Sequence, residues 1–314
     1  MTSNITLEEF EVTARKWLDE NAQKKPDTSD KEAVWGEGDF SVAVFHNLTF
    51  EEEKDLLQEA ASWQMAKAEH GYHAITWPTL YGGLDLPIEY ARAFSRLESG
   101  YITPSRHETF SVTTRLIAPT VLHYGTDDQK NELLSDLFSA KTFCCQLFSE
   151  PGTGSDLAGL GCKAVKDGDE WIINGQKVWS SGAQFSEWGE LIARTHFDQP
   201  KHKGMTAFMV PMDLPGIEVR QIRQMSGGTS FNEVFFNDVR VPDRLRLGPE
   251  GEGWGVALTT LSFERDHSDS DGGGRAGGTW SQLLGTAKSL GLLEDPQFRQ
   301  RLMEVYIQTQ VQRL

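Results

Sequence analysis

Apolar positions recur at helical spacing through the first part of the chain and then give way to short apolar runs punctuated by turn residues. Phe10, Ala14 and Leu18 fall on one helical face within 5–23, behind a Thr6…Glu9 capping-box pattern, and predict an opening helix. The polar segment 24–48, with Pro26 and several glycines, reads as loop. Thr49-Phe50-Glu51-Glu52 starts a second helix to about His70, and Gly71 is its stop signal. The stretch from His73 to Gly83, with Trp77-Pro78 and Gly82-Gly83, reads as a packed turn. Pro87 opens a helix through Glu98, and 106–124 and 127–140 carry two more, the second capped by Thr126 or Asp127.

From Phe143 the period changes. Phe143 to Phe148 reads as a buried strand, followed by a turn over 149–156. Lys163 to Val165 and Trp171 to Ile173 pair around Asp167-Gly168-Asp169, Asn174-Gly175 reads as a second tight turn, and Lys177 to Ser181 as the next strand. Leu191 to Thr195, Thr206 to Pro211, Ile217 to Gln221 and Asn232 to Val241 follow, with turn signals at Gly204, Pro215-Gly216, Gly227-Gly228 and Asn237-Asp238. From Gly253 the spacing of Trp254, Ala257, Leu258 and Leu261 is helical again. A Gly-rich polar run, 267–278, precedes two further helices, Trp280 to Leu293 and Asp295 to Leu314. The expected fold is therefore α+β and multidomain: an N-terminal helical domain (1–141), a middle β domain of barrel or sandwich type (142–248) and a C-terminal helical domain (249–314).

The length of 314 residues agrees with two or three domains of roughly 100–150 residues. With 46 acidic against 30 basic residues, the net charge of −16 argues against nucleic acid or an anionic membrane as partner. A negatively charged ligand would depend on individual arginines. Cys144, Cys145 and Cys162 offer no disulfide framework, and no Cys or His spacing suggests a metal. The N-terminus lacks signal-peptide architecture and no apolar run approaches membrane-spanning length, so the expectation is a soluble, intracellular, cytoplasmic chain.

The turn Ser149-Glu150-Pro151-Gly152-Thr153-Gly154-Ser155-Asp156 combines glycines, which admit a ligand close to the backbone, with hydroxyls and free N–H donors. Trp179 lies beside Ser180 and Ser181, an aromatic plane next to small hydroxyls that suits a flat, polar-edged ligand. The stretches SEPGTGSDLAGL and GDEWIINGQKVWSSGA, with the segments around Gly125-Thr126-Asp127 and Asn232 to Pro242, resemble the acyl-CoA dehydrogenase family over roughly residues 5 to 266. The resemblance implies FAD as cofactor, an acyl-CoA thioester as substrate and an electron-transfer flavoprotein as electron acceptor. It also implies assembly as a homo-oligomer or as a heteromer with a related subunit. Family members usually continue further; here Ile307, Val311 and Leu314 are still periodic where the sequence stops, which suggests a short C-terminal bundle.

The implied chemistry removes the α hydrogen as a proton and the β hydrogen as a hydride, and so needs one carboxylate base. Glu264 is the candidate: it lies beside Leu261 and Ala257 at the edge of an apolar stripe, where partial desolvation would raise its pKa. Read alone it is more often a rim carboxylate in an ion pair, and the family also places the base later in the C-terminal bundle. The resemblance puts Arg265 and Ser155 near the CoA portion, and Gln146, Phe148, Ser149, Gly154, Trp179 and Ser181 at the flavin. Two positions depart from the pattern. Ser262 stands where the family has an acid three residues before Arg265. Arg275, in the Gly-rich run, lacks the following Phe-Gly that accompanies the family's arginine for the flavin pyrophosphate of a neighbouring subunit. An acyl-CoA dehydrogenase is the leading expectation. A same-fold oxidase or flavin monooxygenase, and a non-catalytic subunit of a heteromer, are the alternatives.

Overall fold

The computed structural model describes residues 5–26, 48–105, 107–225, 227–265 and 280–311. Most of the 24–48 loop, the Gly-rich run with Arg275 and the terminal Leu314 lie outside the described residues.

The N-terminal third is helical: α1 (Leu7–Asn21), α2 (Phe50–Ala68), α3 (Ile88–Glu98), α4 (Glu108–Ser111), α5 (Ala118–Tyr124) and α6 (Asp127–Phe138). Thr6, Thr49 and Thr126 each close a reciprocal capping box, with Glu9, Glu52 and Gln129, which satisfies orphan N–H groups at those helix starts. Phe10, Ala14, Trp17 and Leu18 of α1 bury one face against Tyr72, Ile75, Phe94 and Leu97. The predicted helix over 106–124 is not uniform. Val112–Ile117, between α4 and α5, winds as a π-helix, so one continuous rod carries a loosened turn in its middle.

Among the described residues there are ten strands: β1 (Gln23–Lys24), β2 (Tyr101–Ile102), β3 (Cys144–Leu147), β4 (Lys163–Asp167), β5 (Glu170–Ser181), β6 (Trp188–Arg194), β7 (Met205–Pro211), β8 (Ile217–Ile222), β9 (Phe231–Pro242) and β10 (Arg246–Leu247). The first two form a small pair that ties the end of α1 to the end of α3. The other eight make one sheet in the order β10-β7-β6-β4-β5-β9-β8, with β3 running parallel to β6. Alternation divides β6 and β7 between two cores. Leu191, Ala193, Phe208 and Val210 face a core enclosed by the sheet with Trp171, Ile173, Val234 and Val239. Ile192, Met205, Ala207 and Met209 face the helices, against Ile117, Leu134, Val256 and Ala257.

Two predicted turns are corrected. Asn174-Gly175 lies inside the continuous β5, and Asn237-Asp238 lies inside the continuous β9. They oppose each other at a register shift between Ile173 and Gly175, where Asn174 Nδ2 donates to Asp238 Oδ1 at 2.9 Å and the Asp238 N–H donates to Asn174 Oδ1 at 3.0 Å. Turn-type residues here form a β-bulge.

The chain closes with α7 (Gly253–Arg265), α8 (Trp280–Ser289) and α9 (Pro296–Val311). This is the fold expected from the sequence: N-terminal helices, a middle β domain and a short C-terminal helical part. No helix among the described residues is long and apolar enough to cross a membrane.

Candidate active site

Helix α7 is held by its first turns. Gly253 lies so close to β7 that a Cβ there would fall 2.7 Å from the Thr206 carbonyl carbon. Val256, Ala257 and Thr260 continue the buried stripe. At its end, Thr260 Oγ1 donates to Glu190 Oε1 at 2.7 Å and lies 3.0 Å from Thr120 Oγ1, joining α7 to β6 and α5. Glu190 is fully buried, and loss of solvent raises its carboxyl pKa to about 8, so it is protonated at neutral pH. Glu264 sits one helical turn beyond Thr260, past the edge of the core. Its side chain is exposed, which corrects the expected partial burial.

A wall below comes from the sheet. Gln146 shares the helix-facing side of β3 with Cys144, while Cys145 and Leu147 turn into the sheet's own core. The side-chain Nε2 of Gln146 is buried and has no hydrogen-bond partner. On β5, a second register shift between Lys177 and Ser180 sets Val178 and Trp179 against a single residue of β9. Trp179 occupies the left-handed region, φ 62°, and the residue is 59% exposed. A bulged, strained tryptophan presented to solvent is the kind of outlier that marks a ligand site. Phe231 braces it edge-on, ring centroids 5.9 Å apart. The strand itself is anchored by Lys177, fully buried, whose Nζ donates to Phe148 O at 2.9 Å and to Glu150 Oε1 at 2.8 Å. Glu150 in turn accepts from the Gly161 and Cys162 N–H groups, fixing the predicted ligand turn to β5.

These elements converge on one cleft of about 330 Å³. Of the residues singled out in the sequence, Gln146, Trp179, Ser181 and Glu264 line it together. The opposite wall was not foreseen: Glu108, Ser111 and Arg115 come from α4 and the π-helical turn. Thr113 pins that turn to β3, accepting from the Cys144 N–H at 2.8 Å. Periodicity places these residues on a helix but carries no sign of which side would meet a ligand.

The remaining predicted residues stand apart from the cleft. Phe148 packs into the core and its carbonyl is taken by Lys177. Ser149 is half-buried and its carbonyl accepts from the Val178 N–H, beside Trp179. Gly154 and Ser155 are exposed on the turn, and a Cβ at Gly152 or Gly154 would meet nothing within 4 Å. Arg265 is exposed at the last position of α7. The orphaned Gln146 amide, the exposed Trp179 plane and the Ser181 hydroxyl fit the polar edge and flat face of a flavin ring.

Comparison with known proteins gives the same direction. The profile described as acyl-CoA dehydrogenase, N-terminal domain, matches residues 43–141, and that for the middle domain matches residues 145–239. Acyl-CoA dehydrogenase IpdE1 of Mycolicibacterium smegmatis is 33% identical over 98% of this chain and 77% of its own length. Acyl-CoA dehydrogenase FadE34 of Mycobacterium tuberculosis is 42% identical over 64% of this chain and 28% of its own. Among solved structures, the Tcur3481-Tcur3483 steroid ACAD superposes with a TM-score of 0.70 at 26% identity, covering 98% of this chain and 73% of that one. The ChsE4-ChsE5 complex from Mycobacterium tuberculosis gives 0.58 at 26% identity, covering 84% and 61%.

Proposed function

The chain belongs to the acyl-CoA dehydrogenase family, and from that premise we propose that it is an FAD-dependent acyl-CoA dehydrogenase that introduces an α,β double bond into an acyl-CoA thioester. The observation that carries the reading is the meeting of Gln146, Trp179 and Ser181 with Glu264 in one cleft, although they come from three separate elements. In this reading Trp179 supports one face of the flavin ring, while Gln146 and Ser181 hydrogen-bond its edge. FAD bound there supplies the acceptor for the β-hydride. A Glu264 carboxylate oxygen takes the α proton, and the sheet and the α4 wall would hold the thioester beside it. Ser155 and Arg265, exposed outside the cleft, serve the CoA portion. Arg115 brings a cation to a cleft that also carries Glu108 and Glu264, which suits a ligand with acceptor oxygens. An electron-transfer flavoprotein is the onward acceptor.

The test is anaerobic titration of the flavin-loaded protein with acyl-CoA esters. Bleaching of the flavin band, followed by slow reoxidation in air, is the expected result. Rapid reoxidation would instead assign the oxidase or monooxygenase branch.

One observation favours a second reading, a non-catalytic subunit of a heteromer. Glu264 is exposed in the last turn of α7, in a chain similar to the Tcur3481-Tcur3483 steroid ACAD and to the ChsE4-ChsE5 complex. In that case the purified chain would be colourless and would gain flavin only when a related subunit is supplied. A yellow protein on its own, with one flavin per chain, argues for the first reading.

A further inference from the structure

Behind the cleft lies a second chamber of about 410 Å³. Arg115 and Phe263 line both spaces, so the two share a wall. Tyr72, Phe94, Phe110 and Phe138 give the chamber apolar sides suited to hydrocarbon. Gln64, Lys67, Glu98 and Arg115 add polar lining, and among these polar residues stands His73. The turn that carries it closes at Gly82, φ +87°, where a Cβ would come within 3.6 Å of the imidazole Cε1. The His73 Nδ1 is buried and has no hydrogen-bond partner. Burial, and then the nearby charge of Lys67, push the His73 pKa down to about 4, so the ring is neutral at physiological pH. The neighbouring cation is already matched: Lys67 Nζ lies 3.2 Å from Glu98 Oε1, which also accepts from Trp63 Nε1 at 2.8 Å.

A pocket meant for a plain alkyl end has no use for an imidazole whose Nδ1 is buried and unpaired, because burying a polar group without a partner is unfavourable. Resting on the acyl-CoA reading above, we infer that this chamber receives the far end of the acyl group and selects one that carries a neutral oxygen function, a ketone or hydroxyl, with His73 as the residue that reads it. The ring offers a dipole rather than a charge, so the oxygen is recognised by hydrogen bonding. Sites built to bond a substrate oxygen reject the analogue lacking it far more strongly than apolar pockets reject a missing methylene.

The experiment is calorimetric binding to the flavin-loaded protein, with its partner subunit if flavin loading requires one. Two ligand pairs differ by one oxygen: 7-oxooctanoyl-CoA against octanoyl-CoA, and 3-(4-oxocyclohexyl)propanoyl-CoA against 3-cyclohexylpropanoyl-CoA. The oxygenated member of at least one pair should bind about tenfold more tightly or better. His73→Leu should abolish that preference, and His73→Gln, which keeps a hydrogen-bonding end, should restore part of it. Equal binding within both pairs overturns this inference and leaves the acyl-CoA reading standing. Binding of none of the four overturns both. Tighter binding of the carboxylate-ended octanedioyl-CoA than of the ketone overturns the neutral-oxygen assignment.

Discussion

Trp179 is held in place by its main chain. A bulky residue at positive φ costs on the order of 1–3 kcal/mol, and the surrounding ladder must maintain it. Glu264→Gln removes the only proton acceptor at that position while keeping shape. Turnover should fall by about 10²–10⁴-fold, with flavin content, read from the visible absorbance, unchanged. Retained turnover would remove Glu264 from the role of base. Glu190 makes a second prediction, in pH. Its carboxyl pKa of about 8 lies above the ordinary value of 4.5, so the folded state holds the proton more tightly than the unfolded chain. The resulting stability is fully present below about 4.5 and is lost as pH rises through about 8. Glu190→Gln cannot ionise. Denaturant titrations should find it more stable than the parent near pH 9, relative to their difference at pH 4.5, by on the order of 3–5 kcal/mol. A difference constant with pH would show that Glu190 does not titrate this way.

At the scale of elements, the site depends on two irregularities: the bulge in β5 and the π-helical turn between α4 and α5. Where β5 ends, Gly182 sits against α4 so closely that a Cβ would overlap Thr109 Oγ1, and its φ is +62°. Gly182→Ala should therefore cost about 2–4 kcal/mol and weaken flavin retention together with stability, measurable as a lowered midpoint and a lower absorbance ratio. These irregularities also mark the limit of what the chain reveals unaided. Capping boxes at Thr6 and Thr126, the 168–169 turn and the stripe of α7 are encoded within a few residues and are legible. Asn174-Gly175 misleads because the same residue types serve a turn or a bulge, and the choice belongs to the opposing strand. Val112–Ile117 reads as ordinary helix because its π winding is tied to packing on β3 through Thr113. Gln146, Trp179, Ser181 and Glu264 are singled out by the family resemblance, whereas Glu108, Ser111 and Arg115, which line the same cleft, have no motif to announce them.

At the scale of the molecule, a buried polar cluster joins helices to sheet. Glu53 of α2 is fully buried; it accepts from Ser230 Oγ at 2.9 Å and from Gln184 Nε2 at 3.3 Å, and His107 Nε2 lies 3.7 Å away. Glu53→Ala removes the acceptor of the buried Ser230 hydroxyl and should cost about 2–4 kcal/mol, seen as a single shifted transition if helices and sheet unfold together and as two transitions if they do not. The doubly covered strands β6 and β7 carry this coupling further. Because Ile192, Ala207 and Met209 are sealed by helices on one side while Leu191, Phe208 and Val210 are sealed by the sheet on the other, residues 142–248 produced on their own would expose a sticky sheet surface to water. Such a fragment should bind hydrophobic dyes and precipitate, so the boundary visible along the sequence is a change of architecture and no place to divide the protein.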